Sequence, residues 1–504
     1  MILGKREVPC RFLDRQTVRQ QSDPVRVSFP FKVRLYRMLA VVLIFLVCGL
    51  WAWWRRNTNK HEPPAFPGGL PLIGHAHLLI GDSIRKCLIL KYEAKYFFRS
   101  VPFLWMDIED ILTFIVKSCV LVVTDPDDYL TIANTCLQKD NFYEFAKPWL
   151  GEGLVTVPIW KVHRRLLNPA FSQVVLDGFL GVFNGQSRRL VKDLEAEVGN
   201  GPFDHWVYTR HNALETICLD FTDKSMLNSE YVNAAEQMFN ILVDRFQKFW
   251  LHSHLIYSWS ALRRKQDQCL KILHNMSYTV CILFNRFTQY LTMWPLIPGP
   301  KFKPFMDLLL ELSIEKGAFN DREIREHVDT MIVGGHDTSA SVLMYTMLLI
   351  GSYPHVQEKI FEELRDVFGD EDRDVTKQDL SQLVYLEAVL KETMRIYPIV
   401  PVTARRLDRD VKLRNCTLTK GRTCFMFVYG VHRHPMWGPD AEEFKPERWL
   451  DPAKLPECPT AFAGFSMGRR ICIGKVGFSI YRLFFQFFYL DTKLVLTAIP
   501  PDGM

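Results

Sequence analysis

A cysteine near the C-terminal end has neighbours that suit a metal-binding thiolate. The segment reads Phe465-Ser-Met-Gly468-Arg-Arg470-Ile-Cys472-Ile-Gly474, and the apolar spacing from Ile473 to Phe488 predicts a helix that starts at the cysteine. The free N–H groups and dipole of a helix start lower a thiol's pKa and can donate hydrogen bonds to its sulfur. The flanking glycines allow a tight turn and the close approach of a flat ligand. A buried structural cysteine after a glycine turn is the competing interpretation.

An arginine in the same segment points to the nature of that ligand. Arg470 is permanently charged and can hold a carboxylate such as a haem propionate. The spacing of Phe465, Gly468, Arg470, Cys472 and Gly474 resembles the F-x-x-G-x-R-x-C-x-G loop of the cytochrome P450 haem-thiolate monooxygenases, with all five fixed positions present. The resemblance implies that Cys472 is the axial ligand of the iron of haem b.

A long helix is predicted in the second half of the chain. The apolar pattern from about Asn320 to Gly351 begins with a capping-box pattern at Asn320 and Glu323 and stops before Pro354. About thirty residues at 1.5 Å each would span roughly 45 Å. The sequence therefore predicts a buried central helix that crosses the domain.

The middle of this helix reads Gly334-Gly335-His336-Asp337-Thr338-Ser339. A glycine inside a helix costs about 1 kcal/mol relative to alanine, so the pair indicates close approach to a flat group or a local opening of the helix. The segment resembles the [AG]-G-x-[DE]-T-[TS] pattern of the same family, which implies that Asp337 and Thr338 relay protons. A helix-packing glycine pair with a capping threonine is the alternative. We interpret His336 as structural.

Three further charged residues match structural motifs of the family. Glu392 and Arg395 lie three residues apart, on one face of a predicted helix. Phe444-Lys-Pro446-Glu-Arg448-Trp449 resembles the F-x-P-E-R-F element, whose arginine completes a buried network with such a pair. The resemblance therefore assigns Glu392, Arg395 and Arg448 to a structural triad.

Two more segments resemble haem-binding elements. Trp160 and Arg164 match the W-x-x-x-R helix that reaches the propionates, and helical spacing places them on one face. An amphipathic helix with a snorkelling arginine would give the same pattern. Arg405 matches a further propionate-binding arginine, and the residues 400–403 before it match a substrate-contacting strand.

The resemblance implies a fold, a reaction and partners. The fold would be mostly α with a small β region, a triangular helical prism around buried haem. The reaction would insert one oxygen atom from O2 into a lipophilic substrate. NADPH–cytochrome P450 reductase would deliver the electrons to a basic face that includes Lys161, Arg469 and Lys475, with cytochrome b5 as a possible second donor. A haem-thiolate protein that binds ligand but turns over poorly remains open as an alternative.

The composition excludes several other classes of protein. The chain has 504 residues, is 48% hydrophobic and carries a formal charge of +6, spread without an aromatic-interleaved basic stripe. We therefore expect one large globular unit and no nucleic-acid partner. Its twelve cysteines contain no C-x-x-C pair, which argues against zinc modules and fits a reducing compartment.

The N-terminal region predicts a membrane anchor. Residues 38–54 form a run of seventeen residues without a charge. The bulky tryptophans at its end, and Arg55 and Arg56 after it, stand where the cleavage site of a signal peptide would have small residues. Nine basic residues precede this span and compete with the three after it for the cytosolic side. We expect residues 1–37 to be an unusual extension or a mis-assigned start that should be Met38. Residues 55–75 predict a basic, proline- and glycine-rich hinge, and 76–504 a catalytic domain on the cytosolic face of the endoplasmic reticulum.

Finer features concern the subfamily. Asp307-Leu-Leu-Leu-Glu311 and the run 324–330 resemble the clan of fatty-acid ω-hydroxylases with its insect members. Many members of that clan have a haem-esterifying glutamate where this chain has Gly334, so we expect non-covalent haem. The aromatic-rich residues 281–295, the extra stretch 105–119 and the 32 residues after Cys472 depart from the family pattern. These departures leave the substrate open and put full activity in question.

Overall fold

The computed structural model describes residues 120–218, 229–292, 305–369 and 371–475. The chain divides into two units, Met1–Thr58 and Asn59–Met504, and every described residue belongs to the second. The expected anchor, hinge and extra stretch, and the expected C-terminal helix beyond Lys475, lie outside the described residues. Among the helices within those ranges, none is both long enough and apolar enough to cross a membrane.

Helices make up most of the described chain. Short 3-10 turns connect several of them, including Asn141–Ala146 and Gly468–Arg470. In chain order the α-helices are α1 (Pro126–Thr135), α2 (Lys147–Leu150), α3 (Trp160–Leu167), α4 (Gln173–Gly178), α5 (Leu180–Glu195), α6 (His205–Ile217), α7 (Ser229–Gln247), α8 (His254–Trp259), α9 (Ala261–Thr292), α10 (Phe305–Lys316), α11 (Asp321–Ser352), α12 (Pro354–Phe368), α13 (Lys377–Gln382), α14 (Val384–Ile396) and α15 (Val428–Val431).

The strands form a small sheet and a separate two-stranded ladder. The strands are β1 (Val120–Val123), β2 (Val402–Arg406), β3 (Val411–Lys412), β4 (Thr417–Leu418) and β5 (Thr423–Phe427). β5 lies in the centre of the three-stranded sheet, parallel to β1 and antiparallel to β2. The ladder pairs β3 with β4. The expectation of a mostly helical fold with a small β region is thus confirmed.

Helix α11 is the predicted central helix, and its bounds match the expectation within one residue. Asn320 caps it through a full capping box: its side chain accepts from the Glu323 N–H, and the Glu323 carboxylate accepts from the Asn320 N–H. Pro354 begins the next helix, since proline lacks the N–H that would continue α11. Its 32 residues span about 48 Å at 1.5 Å each.

Apolar side chains from both halves of α11 form the core. The C-terminal half packs Leu343 and Met347 against buried leucines of α5, α12 and α14. The N-terminal half packs Val328 and Ile332 against α2, α7, α9 and α10. A third cluster fills the space between the sheet and α1. Each fully buried leucine contributes roughly 1.5–3 kcal/mol to folding, so these clusters fix α11 in the middle of the domain.

Candidate active site

The Cys472 loop is closed by its own backbone. The Cys472 N–H donates to the Phe465 carbonyl at 3.0 Å. Inside the loop, Ser466 and Gly468 have positive φ angles of 58° and 73°. A Cβ on Gly468 would lie 2.8 Å from the Cβ of Ala133 on α1. Gly468 is therefore required both by its backbone conformation and by the close packing of α1.

Cys472 retains solvent-exposed surface, while protein atoms, including backbone donors, lie close to its thiol. Burial raises its pKa, while the backbone N–H groups of Gly474 and Lys475 and the charge of Arg164 oppose that rise. The expected donors are therefore present and lower the pKa of the thiol as predicted, but burial raises it by more. A coordinating metal cation removes a thiol proton outright.

Four cations lie close to this loop. The Arg164 guanidinium of α3 donates to the Ile471 carbonyl at 2.9 Å, and that of Arg470 lies 4.8 Å from the ring centroid of Trp160. Arg470 also donates to the Leu137 carbonyl. Arg405 on β2 is 1% exposed, and within the part of the chain that the structure describes its Nε has no hydrogen-bond partner. The structure therefore brings together Trp160, Arg164, Arg405 and Arg470, as the motifs predict.

Lys139 is the fourth cation, and no sequence motif predicts it. Its Nζ donates to the Tyr143 hydroxyl at 3.0 Å, and its backbone bridges to Arg405. Burial and the charges of Arg405 and Arg470 hold the pKa of Lys139 well below its usual value. A lone lysine after a helix carries no local pattern, so only the tertiary structure places it in this cluster.

This cluster suits a haem. Burial, Arg405 and Arg164 together lower the pKa of Arg470 to about 9, which shows the mutual repulsion of these groups. No carboxylate among the described residues forms an ion pair with Lys139, Arg164, Arg405 or Arg470. Buried unpaired cations cost several kcal/mol each, and two propionates would offset two of these positive charges. The orphaned Nε of Arg405 and the exposed surface of Cys472 fit the same flat group.

The glycine pair of α11 serves two different purposes. Gly335 packs against α6, where a Cβ would overlap the side chain of Ile217. Gly334 is exposed in the middle of the helix, with no atom within 4 Å of an added Cβ. The helix continues without a break through both glycines. A close approach is thus observed at Gly335, but to an aliphatic side chain rather than to a flat group. The alternative, a local opening, is not observed: the helix is intact, and Thr338 Oγ1 donates to the Gly334 carbonyl at 2.6 Å.

The acid next to Thr338 lies at a cavity. Burial raises the pKa of the Asp337 carboxyl, partly offset by the charge of Arg210. A cavity of about 280 Å³ is lined by Asp337, Ser341 and Tyr345 on one side. Pro401 and Tyr429 are among the residues on its other side. His336, predicted to be structural, is buried with a pKa lowered by burial to about 4.

The three residues of the expected triad form one buried network. Arg395 donates two hydrogen bonds of 2.8 Å to the Glu392 carboxylate, and Arg448 Nε donates one of 2.9 Å. Trp449 Nε1 and the Lys445 N–H also donate hydrogen bonds to this carboxylate. Arg395 also donates to the carbonyls of His432, Ala441 and Glu443. The network ties α14 to the segment before the Cys472 loop.

The sequence of the chain is similar to one family of known proteins and to several of its members. The family profile described as Cytochrome P450 matches residues 64–485. Cytochrome P450 4V2 of Mus musculus is 31% identical over 474 residues, which cover 91% of this chain and 87% of the relative. Cytochrome P450 4c3 of Drosophila melanogaster is 31% identical over 75% of this chain and 73% of its own length. Cytochrome P450 4c21 of Blattella germanica is 28% identical, with 93% and 92% covered.

Proposed function

This chain belongs to the cytochrome P450 family, within the clan that includes the insect relatives above, and is a monooxygenase; we propose that it is an active, membrane-bound enzyme acting on lipophilic substrates. The observation that carries this proposal is the arrangement around Cys472. An exposed cysteine, four cations that form no ion pair within the described ranges and an acid–hydroxyl pair come together from segments that extend from Lys139 to Cys472. A merely structural cysteine would require none of these.

Different residues of the site are assigned to different parts of the haem. We assign the Cys472 sulfur to the iron and Lys139, Arg164, Arg405 and Arg470 to the propionates, with Trp160 beside Arg470. Phe465, Gly468 and Gly474 shape the loop and keep side chains away from the flat face. When bound, the haem supplies the oxygen-activating chemistry, which a thiolate ligand favours by pushing electron density towards O–O cleavage.

The residues that we assign to proton transfer lie on α11. The raised pKa of Asp337 lets its carboxyl hold a proton closer to neutral pH than an ordinary aspartate. Thr338 holds its hydroxyl in a fixed position through the bond to the Gly334 carbonyl. The two groups are adjacent in sequence on one helix, and Gly334 leaves open space beside them. We propose that Asp337 delivers protons and that Thr338 orients them.

The electron donors are part of the proposal. Lys161, Arg469 and Lys475 are all exposed and belong to α3 and the Cys472 loop. They offer a basic surface on the thiolate side of the site, which suits an acidic flavoprotein. We propose NADPH–cytochrome P450 reductase as the donor, with cytochrome b5 as a second one.

We further propose that residues 38–54 anchor the chain in the endoplasmic reticulum with the catalytic domain in the cytosol, and that residues 1–37 are dispensable. Chains that begin at Met1, at Met38 and after the hinge should contain equal haem per polypeptide. The first two should sediment with microsomes. Haem loss on removing residues 1–37 would contradict this assignment.

Turnover tests the proposed function. The full-length chain is reconstituted with the reductase and a panel of lipophilic compounds, and NADPH consumption and oxygenated product are both measured. We expect at least one compound to raise NADPH consumption and to gain one atom from 18O2. Haem-loaded protein that no compound stimulates would instead favour the ligand-binding alternative.

A further inference from the structure

A pair of buried histidines joins α3 to α11. His163 of α3 is 5% exposed, and His327 of α11 is fully buried. Nδ1 of His163 lies 3.0 Å from Nε2 of His327. The ring of Phe319 packs against the edges of both imidazoles, with centroid distances of 5.2 and 5.0 Å. The two rings therefore make a direct hydrogen bond that an aromatic side chain shields from water.

The position of α3 depends on this contact. Of the eight residues of the helix only His163 and Leu167 are buried, and its start has no side-chain cap. Leu167 packs into an apolar core cluster, whereas His163 bonds directly to α11. His163 immediately precedes Arg164, whose guanidinium donates to the Ile471 carbonyl beside Cys472. A shift of His163 would therefore displace the side of α3 that we assign to the haem.

The hydrogen bond between the rings has a favoured direction. A neutral imidazole has one N–H donor and one bare acceptor nitrogen. Nδ1 of His327 is buried and has no hydrogen-bond partner in the described part of the chain. If His327 Nε2 donates to His163, this orphaned Nδ1 is a bare acceptor; in the opposite direction it would be an N–H donor without an acceptor. Orphaned buried N–H groups are rare in proteins, so we infer that His327 is the donor.

A proton on His163 reverses this direction. A protonated imidazole has a hydrogen on both nitrogens, so His163 Nδ1 would have to donate to His327 Nε2. The proton of His327 would then lie on Nδ1, where no acceptor is present among the described residues. The charged pair therefore combines a buried charge with an orphaned N–H donor. Separation of the two rings, which exposes them to water, avoids both costs.

Two carboxylates determine which ring takes up the proton first. Glu323 of α11 and Glu152, which follows α2, raise the pKa of His163, but burial lowers it by more. Burial and the charge of His163 lower the pKa of His327 to about 3. His163 is therefore the first of the two to be protonated as pH falls. Helix α10 also packs against α3. None of its ionisable residues is among the groups that shift the pKa of either ring; these residues are Asp307, Glu311, Glu315 and Lys316.

We propose that His327 is a positioning residue for the haem: through His163 it holds α3, with Trp160 and Arg164, in place while both rings are neutral, and it releases α3 when His163 takes up a proton. This inference rests on the proposed haem-binding role of α3. It gives the site a pH-dependent grip on the haem that originates in α11, outside the haem-binding cluster itself.

Haem retention measured against pH tests the pair. Haem-loaded protein is mixed with excess apomyoglobin between about pH 8 and about pH 5.5, the range that includes the ordinary pKa of histidine. The rate of haem transfer is followed at the Soret band. Hydrogen–deuterium exchange of the peptide 160–167, corrected for its intrinsic pH dependence, is measured in the same samples. In wild type both rates should be steady near pH 8 and rise severalfold towards pH 5.5.

Two substitutions of His327 separate the titrating role from a packing role. The amide of His327→Gln can donate to neutral His163 and, after rotation, accept from protonated His163. This variant should keep the wild-type rates near pH 8 and lose most of the rise at low pH. His327→Leu cannot make the bond, so both rates should be severalfold higher near pH 8 and change little with pH.

His252→Gln is the matched control. His252 is also buried with a pKa lowered by burial, but it follows α7, and its Nε2 pairs with the Phe246 carbonyl. This variant should keep the wild-type pH profile. A flat profile in wild type overturns the proposal, as does an unchanged rise in His327→Gln. If His327→Leu does not fold, His327→Gln decides. A thiolate-type CO spectrum with either contrary profile overturns only this inference; absence of that spectrum overturns the proposed function.

Discussion

At the scale of single residues, Thr338 is a position at which a substitution should change the reaction without changing the fold. Among the described residues its hydroxyl bonds only to the Gly334 carbonyl one turn back, and alanine is the better helix former. We expect Thr338→Ala to keep its haem content and its NADPH consumption with substrate. Product formed per NADPH should fall about tenfold or more, because a positioned proton donor is lost.

Thr346→Ala is the control for this prediction. Thr346 makes the same bond, to the Val342 carbonyl at 2.7 Å, two turns further along the same helix and away from the site. Its loss should leave product yield unchanged. Equal yields from wild type and Thr338→Ala would show that Thr338 takes no part in proton transfer.

Gly334 is the position at which many members of the clan have a haem-esterifying glutamate. A glycine supplies no carboxyl to esterify the haem, so we expect acidic organic solvent to remove all the haem from the wild-type protein. Gly334→Glu places a carboxyl in open space, and a fraction of the haem should then stay with the polypeptide. Haem that resists extraction from wild type would contradict the non-covalent assignment.

At the scale of elements, the Glu392–Arg395–Arg448 network holds α14 to the segment that precedes the Cys472 loop. All three side chains are at most 4% exposed. Arg448→Ala leaves the Glu392 carboxylate with one arginine fewer, and removing a partner from a buried ion pair costs about 3–5 kcal/mol. We expect a large fall in thermal stability and in haem incorporation, measured by circular dichroism and the Soret absorbance.

Lys391 on the same helix provides the control. It pairs with Glu387 at 2.7 Å, and both side chains are about one third exposed. Lys391→Gln should cost no more than about 0.5 kcal/mol. Similar losses in the two variants would mean that burial of the network contributes little.

The sequence predicted those elements whose signals are local. The capping box at Asn320 and the proline at 354 place the ends of α11 within one residue of the observed helix. The role of the glycine pair could not be predicted in the same way, because Gly335 packs against Ile217 of α6, a residue more than 100 positions away. Likewise, a helix start lowers a thiol's pKa, but the burial that outweighs it for Cys472 is a property of the folded chain.

At the scale of the whole molecule, buried histidines make stability depend on pH. Burial lowers the pKa of His327 and His432 to about 3 and that of His336 to about 4. In the unfolded chain these rings bind protons below about pH 6.5. The unfolded state therefore binds more protons between about pH 4 and 6.5, and the free energy of unfolding falls as pH falls through this range.

Asp329 acts in the opposite direction. Burial raises its pKa to about 7, so the folded state keeps a proton that the unfolded chain releases above about pH 4, and this contribution is lost as pH rises towards 7. Burial also raises the pKa of Asp128, Asp140 and Asp337 and lowers that of His163, His252 and His274, so six histidines act against four carboxyls. The midpoint of thermal unfolding should be lower at pH 5 than at pH 7; an equal or higher midpoint at pH 5 would contradict the assignment of neutral buried histidines.

The complete site could not be assembled from sequence alone. The motifs identified Cys472, Arg470, Arg405, Arg164 and Trp160, because each belongs to a pattern of fixed spacing. Lys139 belongs to no such pattern, and its role depends on burial and on the lack of a paired carboxylate among the described residues. Such properties arise only when loops and helices from distant parts of the chain come together.

The central claim is that Cys472 makes this protein a haem-thiolate enzyme. The most direct measurement is the CO difference spectrum of the reduced, purified chain. We predict the red-shifted Soret band of a thiolate-ligated haem, and its loss in Cys472→Ser at comparable protein yield. A band typical of a neutral nitrogen ligand in wild type, or a thiolate-type band that persists in Cys472→Ser, would contradict the claim.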